Sequence, residues 1–155
     1  MTLEKTLRQQ LTEPGNGGFH VNADGWNVTL ASDKSDSLSC ALKELALDRG
    51  TPIKEELRAW SQRVAENATG LMEPLRVIEV DAPLGKALLR SDAPTLRGAK
   101  SHYYELLLTR TDRTSANLRR YIGNPVGGEK REAVPFVLTH DAIVKLVSDI
   151  VGTNG

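Results

Sequence analysis

Cys40 is the only cysteine in the 155 residues, so no disulfide can form within the chain, and a reducing compartment is the expected setting. No apolar run approaches the roughly 18 residues that a membrane span requires, which excludes a spanning helix of ordinary composition. The stretch from Met1 to Leu11 has neither an apolar core nor a small-residue cleavage site, and the expected location is therefore the cytoplasm. Net charge is also missing. Twenty basic and 20 acidic side chains cancel, leaving no overall field to draw the chain onto nucleic acid or anionic lipid.

Chemical signatures are equally sparse. His20, His102 and His140 are widely separated, and none has a second histidine or cysteine at metal-ligand spacing, so no metal is expected. No serine sits in a Gly-x-Ser-x-Gly elbow, and no cysteine and histidine signature of a thiol enzyme is present. The segment from Gly123 to Lys130 has a glycine-rich look. Glu129, however, occupies the place where a phosphate loop needs lysine, and a carboxylate there repels phosphate. Gly15 to Gly18 follows a helix and opens a strand, the reverse of the order a dinucleotide-binding turn needs. No cofactor is expected.

What is present reads as one α+β domain over residues 1–155: an antiparallel sheet of hairpins flanked by N-terminal, central and C-terminal helices. Apolar residues make up 39% of the chain and are spread along it, enough to close a core without metal or disulfide support. Thr2 caps a first helix whose Leu3, Leu7 and Leu11 fall on one stripe, and Pro14 and Gly15 stop it. Phe19 to Val21 and Trp26 to Leu30 form a hairpin around Asn22 to Gly25. Asp33 to Asp36 reads as a turn. Leu38 to Leu47 fits a strand by the alternation of Leu38, Cys40 and Leu42, and a helix by Leu38, Leu42 and Leu45; the hairpin rhythm before it favours strand. Thr51 and Pro52 then predict a helix start, with Ile53, Leu57, Trp60 and Val64 as its buried stripe to about Asn67.

Beyond Leu75 the period is two. A loop over Ala82 to Gly85 sets Val80 opposite Ala87, Ile78 opposite Leu89, Asp81 opposite Lys86 and Val77 opposite Arg90. Ser101 to Arg110 and Ser115 to Ile122 form the strongest hairpin. With a four-residue loop, Leu107 faces Leu118, Glu105 faces Arg120 and Tyr103 faces Ile122 on one side. Tyr104 then faces Tyr121, Leu106 faces Arg119 and Leu108 faces Asn117 on the other. Val134 to Leu138 precedes a last helix capped by Thr139, with Asp141 in its first turn and Ile143, Leu146, Val147 and Ile150 buried.

Two sites follow from this register. The face carrying Tyr104, Leu106, Leu108, Arg119 and Tyr121 combines aromatic, apolar and guanidinium groups, the composition of a protein contact, and points to a binding module that contacts a protein partner or itself as a homodimer. The alternative is a small-ligand site or enzyme using Glu73, Glu79, Asp81 and Arg90. Glu79 with Arg90, Asp81 with Lys86 and Glu105 with Arg120 read as cross-strand ion pairs, which weakens that alternative. The arginines of the hairpin, Arg110, Arg113, Arg119 and Arg120, suit single-stranded nucleic acid less well, because Glu105 and Asp112 dilute them and no nucleic-acid motif accompanies them.

The order helix, three short strands, helix, strand hairpins, helix resembles that of the class I type III secretion chaperones. The resemblance implies a small homodimer that holds an unfolded segment of a client, and it transfers no site residue. The run from Leu71 to Asp81, followed by Leu89-Arg90-Ser91, also resembles sequences of uncharacterised bacterial proteins, and this implies no activity.

Overall fold

The computed structural model describes residues 2–13, 18–98, 100–123 and 130–153, with Asp33 described by its backbone alone. The first helix, α1 (Leu3–Thr12), starts where the Thr2 hydroxyl accepts the Lys5 N–H, and it buries Leu3, Leu7 and Leu11. Its expected stop at Pro14 and Gly15, the Gly15 to Gly18 linker apart from Gly18, and most of the Gly123 to Lys130 loop lie outside the described residues.

Strands β1 (Phe19–Ala23) and β2 (Trp26–Ser35) form the expected hairpin around Asp24 and Gly25. Both turn residues have positive φ, 55° and 82°, the two-residue turn whose twist matches antiparallel strands. Strand β2 runs through the expected turn at 33–36 as far as Ser35; the chain reverses instead where the Asp36 carboxylate accepts the Leu38 and Ser39 N–H groups. Those two bonds hold its pKa below the usual carboxylate value.

The ambiguous segment is a strand, β3 (Ser39–Arg49). It mimicked a helix because Lys43 is an extra residue: the partner register jumps from Glu44 to Leu42, so buried Leu42 and Leu45 are three apart without any helical turn.

Helix α2 spans Leu57–Asn67, not Thr51 onward. Thr51 to Ile53 is held instead by Thr114, whose hydroxyl donates to the Thr51 carbonyl and accepts the Ile53 N–H. Ile53 therefore reaches the core from extended chain rather than from the helix. Trp60 is fully buried and donates its indole N–H to the Ile150 carbonyl of α3 (His140–Val151). The α3 start matches expectation, with the Thr139 hydroxyl accepting the Ala142 N–H.

The remaining strands are β4 (Leu75–Asp81), β5 (Lys86–Ser91), β6 (Thr95–Arg97), β7 (Lys100–Arg110), β8 (Thr114–Gly123), β9 (Glu132–Val134) and β10 (Phe136–Thr139). They complete one ten-stranded sheet in the order β1-β2-β3-β8-β7-β5-β4, with β6 on β7, β9 on β8 and β10 on β3. Pro135, which has no N–H to offer a ladder, stands where the chain leaves β8 and joins β3, so β9 and β10 fill the gap between those two strands like a wedge.

Two registers differ from expectation. In β4, Asp81 with Lys86 and Val80 with Ala87 pair as predicted, but Ile78 bulges out, and Val77 instead of Ile78 lies opposite Leu89. In the β7 and β8 hairpin the loop is three residues, Thr111 to Arg113, because Thr114 is drawn into the strand and onto the 51–53 segment. Every pair moves by one. Leu106 now faces Leu118, Tyr103 faces Tyr121, Glu105 faces Arg119, and Tyr104 faces Arg120.

With that register, apolar side chains line up across seven strands. One row reads Val21, Val28, Leu47, Ala116, Leu108, Ala87, Val80, and the next reads Phe19, Leu30, Leu45, Leu118, Leu106, Leu89, Val77. The buried residues of the sheet and of the three helices form one cluster on this face. Among the described residues the other face carries no helix, and no helix is long and apolar enough to cross a membrane.

Leu106 is 0% exposed and Leu107 36%, which distinguishes the two registers energetically. Urea unfolding is expected to show Leu106→Ala losing about 2–5 kcal/mol and Leu107→Ala less than about 1 kcal/mol. Equal losses would contradict the observed pairing.

Candidate functional site

The slip of one residue divides the expected contact face. Tyr104, Leu106 and Leu108 point into the core, while Arg119 and Tyr121 remain on the helix-free face. Sequence pattern alone was misled by Leu106-Leu107-Leu108, which is apolar at both parities. The residues that share the open face with Arg119 and Tyr121 are Tyr103, Glu105 and Leu107 of β7 and Leu88 and Arg90 of β5.

Across this face runs a ladder of alternating charge on four strands: Glu44 of β3, Arg119 of β8, Glu105 of β7 and Arg90 of β5. Arg119 pairs with Glu44, and Arg90 Nη2 meets Glu105 Oε2 at 3.1 Å. Arg131, just before β9, also pairs with Glu105. The bond to Glu44 raises the Arg119 pKa, and the bond to Glu105 raises that of Arg131.

Beside the ladder, Tyr103 and Tyr121 lie with ring centroids 5.9 Å apart, and a guanidinium covers each: Arg90 over Tyr103 at 5.3 Å and Arg131 over Tyr121 at 3.9 Å. The order Arg, Tyr, Tyr, Arg thus crosses β5, β7 and β8 and ends on the residue before β9. The carboxylates sit low and the guanidiniums high, because the Glu105 and Glu44 side chains are 11% and 23% exposed against 38%, 42% and 51% for Arg90, Arg131 and Arg119. Within the ladder the outermost charge is therefore positive. A shallow depression of about 400 Å³ lies within it, between Glu44, Glu105, Leu107, Asn117, Arg119, Tyr121 and Arg131.

The alternative carboxylate site is dispersed. Glu73 is buried under the opposite face, where Arg120 grips both of its oxygens at 3.1 and 2.9 Å and the Ser91 and Thr95 hydroxyls donate to it. The expected Glu105 and Arg120 pair is therefore replaced by Glu73 and Arg120, since Arg120 points inward. The Arg120 guanidinium stacks on Tyr104 at 4.3 Å, and Tyr104 meets Phe136 edge to face. Arg90 is taken by Glu105, not by Glu79. Glu79 and Asp81 lie at the far end of the open face, around a small cleft walled by Leu84, Leu88 and Leu107, and the Asp81 carboxylate accepts the Leu84 N–H. The structure does not bring the four residues Glu73, Glu79, Asp81 and Arg90 together.

The arginine cluster disperses too. Arg110 donates to the Ile53 carbonyl, Arg120 is buried, Arg119 is exposed but paired with Glu44, and Arg113 is exposed at the turn. His140 is half-buried, His20 shares a hydrogen bond with Thr29, and His102 has its pKa lowered by burial and by the nearby charge of Arg120. Among the described residues no group of three or more His, Cys, Asp or Glu is placed to hold a metal ion. A scan against protein-family models finds no match, and searches of curated proteins and of solved structures likewise find none.

The buried pair generates a pH prediction. Burial alone raises the Glu73 pKa, but the bonds from Arg120, Ser91 and Thr95 together outweigh it and hold the carboxyl below its ordinary value. A carboxyl depressed in the folded state adds stability above its unfolded pKa and loses it as pH falls through the folded one. Urea midpoints are expected to drop more steeply below about pH 4 for wild type than for the Glu73→Leu/Arg120→Met double variant. Glu73→Ala alone strands Arg120 and is expected to cost about 3–5 kcal/mol at neutral pH.

Proposed function

We propose that the chain is a protein-binding module that holds an acidic, apolar-bearing segment of a partner protein on the helix-free sheet face. The observation that carries this reading is the vertical order of charge there, with exposed guanidiniums of Arg90, Arg119 and Arg131 above recessed Glu44 and Glu105, set beside Tyr103, Tyr121, Leu88 and Leu107. Tyrosine and arginine supply large contact area with directional bonds and dominate the energetics of protein contacts. Incoming carboxylates meet the guanidinium tips, which already sit in place because Glu44 and Glu105 hold them.

A chaperone-like role, gripping a segment of a client, is the finer form of the proposal. Mixed charge favours protein over nucleic acid, since a polyanion would also meet Glu44, Glu105, Glu79 and Asp81. Catalysis by carboxylates has less support. Glu73 is fully engaged inside the fold, and Asp81, beside Glu79 at a small cleft, spends its carboxylate on the Leu84 N–H.

Panning a random-peptide display library against the immobilised chain is expected to enrich peptides that alternate Asp or Glu with apolar residues. Binding should fall at least tenfold for Arg119→Glu/Arg131→Glu, whose circular dichroism should match wild type. Enrichment without acidic residues, or peptides bound equally by the charge-reversed variant, would remove the proposal. Retention on a polyanion column that weakens steeply with salt would assign the face to nucleic acid instead.

A further inference from the structure

The two edges of the sheet are built differently. At one edge β4 bulges at Ile78 and carries Arg76, Glu79 and Asp81, devices that keep a foreign strand from pairing. At the other edge β1 has neither bulge, proline nor charge over Phe19–Ala23.

Its hydrogen bonding can be derived from the turn. In a two-residue hairpin the closing pair, Ala23 and Trp26, shares both of its bonds, so Ala23, Val21 and Phe19 turn their N–H and C=O groups toward β2. His20 and Asn22 then turn theirs outward. Among the described residues nothing hydrogen-bonds to those outward groups.

We propose that a second copy of the chain adds antiparallel to β1, about a two-fold axis at Val21. This goes beyond the peptide-binding face, which it leaves uncovered. With Val21 opposite itself, His20 of one copy lies opposite Asn22 of the other, and the outward groups of both satisfy each other reciprocally. Shifting by two residues in either direction loses one of these two pairs. The register also keeps parity, so Phe19 and Val21 of both copies fall on the helix-covered side; the Val21 row continues into its equivalent in the other copy, and Phe19 lies opposite Ala23, which pairs with buried Trp26. No charged side chain of β1 meets another across the axis, and the chain's balance of 20 acidic and 20 basic groups imposes no net repulsion between copies.

Sedimentation velocity of the full chain at low micromolar concentration tests this. His20→Pro removes an outward N–H without touching a β2 bond, so circular dichroism should be unchanged while dimer affinity falls at least tenfold. In a protein otherwise wild type, nitroxide labels on Asn22→Cys should report an interlabel distance below roughly 20 Å, since strand spacing and a two-residue stagger leave the two backbones within about 10 Å. A monomeric wild type, or a dimer whose labels lie far apart, overturns the proposal. A dimer broken by Leu107→Glu but not by His20→Pro places self-association on the sheet face and also counts against it. Loss of library peptides in Arg119→Glu/Arg131→Glu with an intact dimer separates the two readings.

Discussion

The turn at Thr111 to Arg113 governs the architecture out of proportion to its size. Thr114 leaves the loop because its hydroxyl is wanted twice, once by the Thr51 carbonyl and once by the Ile53 N–H. Drawing it into β8 sets the parity of the central hairpin, and parity decides which side chains face the helices. Leu106, Leu108 and Leu118 then join the two rows that cross the sheet, and Arg120 turns inward to meet Glu73. Had the loop kept a fourth residue, Arg120 would turn to the open face, away from Glu73.

A buried ion pair of this kind adds little net stability over a well-packed apolar pair, yet it is costly to break. Glu73 lies between α2 and β4, Ser91 ends β5, Thr95 begins β6, and Arg120 is central in β8. One carboxylate therefore ties four separate pieces of chain to one point. It also frees the opposite face: the inward cation is neutralised internally, so the arginines left outside are those spaced along the charge ladder. Glu105 and Glu44 compensate those from below and keep them extended beside the tyrosines.

Much of the fold was readable because long elements carry redundant signals. Leu3, Leu7 and Leu11, the Thr139 cap and the Asp24-Gly25 turn each fit one structure only. The readings failed where a single residue shifts the count. Lys43 made a strand look helical, Ile78 displaced half of a correct pairing, and one turn residue at 114 reversed a hairpin whose three consecutive leucines are indifferent to parity. Thr51 and Pro52 have the chemistry of a helix start, but a partner distant in sequence, Thr114, claims the backbone first. The site suffered most from this. Tyr121 and Arg119 were recognised, Tyr103, Glu105 and Leu107 were assigned to the wrong side, and the Glu73 and Arg120 pair had no local signature, being set by residues 47 apart.

The wedge around Pro135 bears on how the molecule is made. Leu45 pairs with Leu118 and Leu42 with Phe136, so the middle of the sheet is assembled from segments far apart in the chain, and its last gap is closed by β10. During synthesis the ribosome must deliver the chain through Thr139 before those strands can be sealed. Until then β3 and β8 diverge with an open notch between them, a slow, non-local closure that exposes apolar rows to other nascent chains.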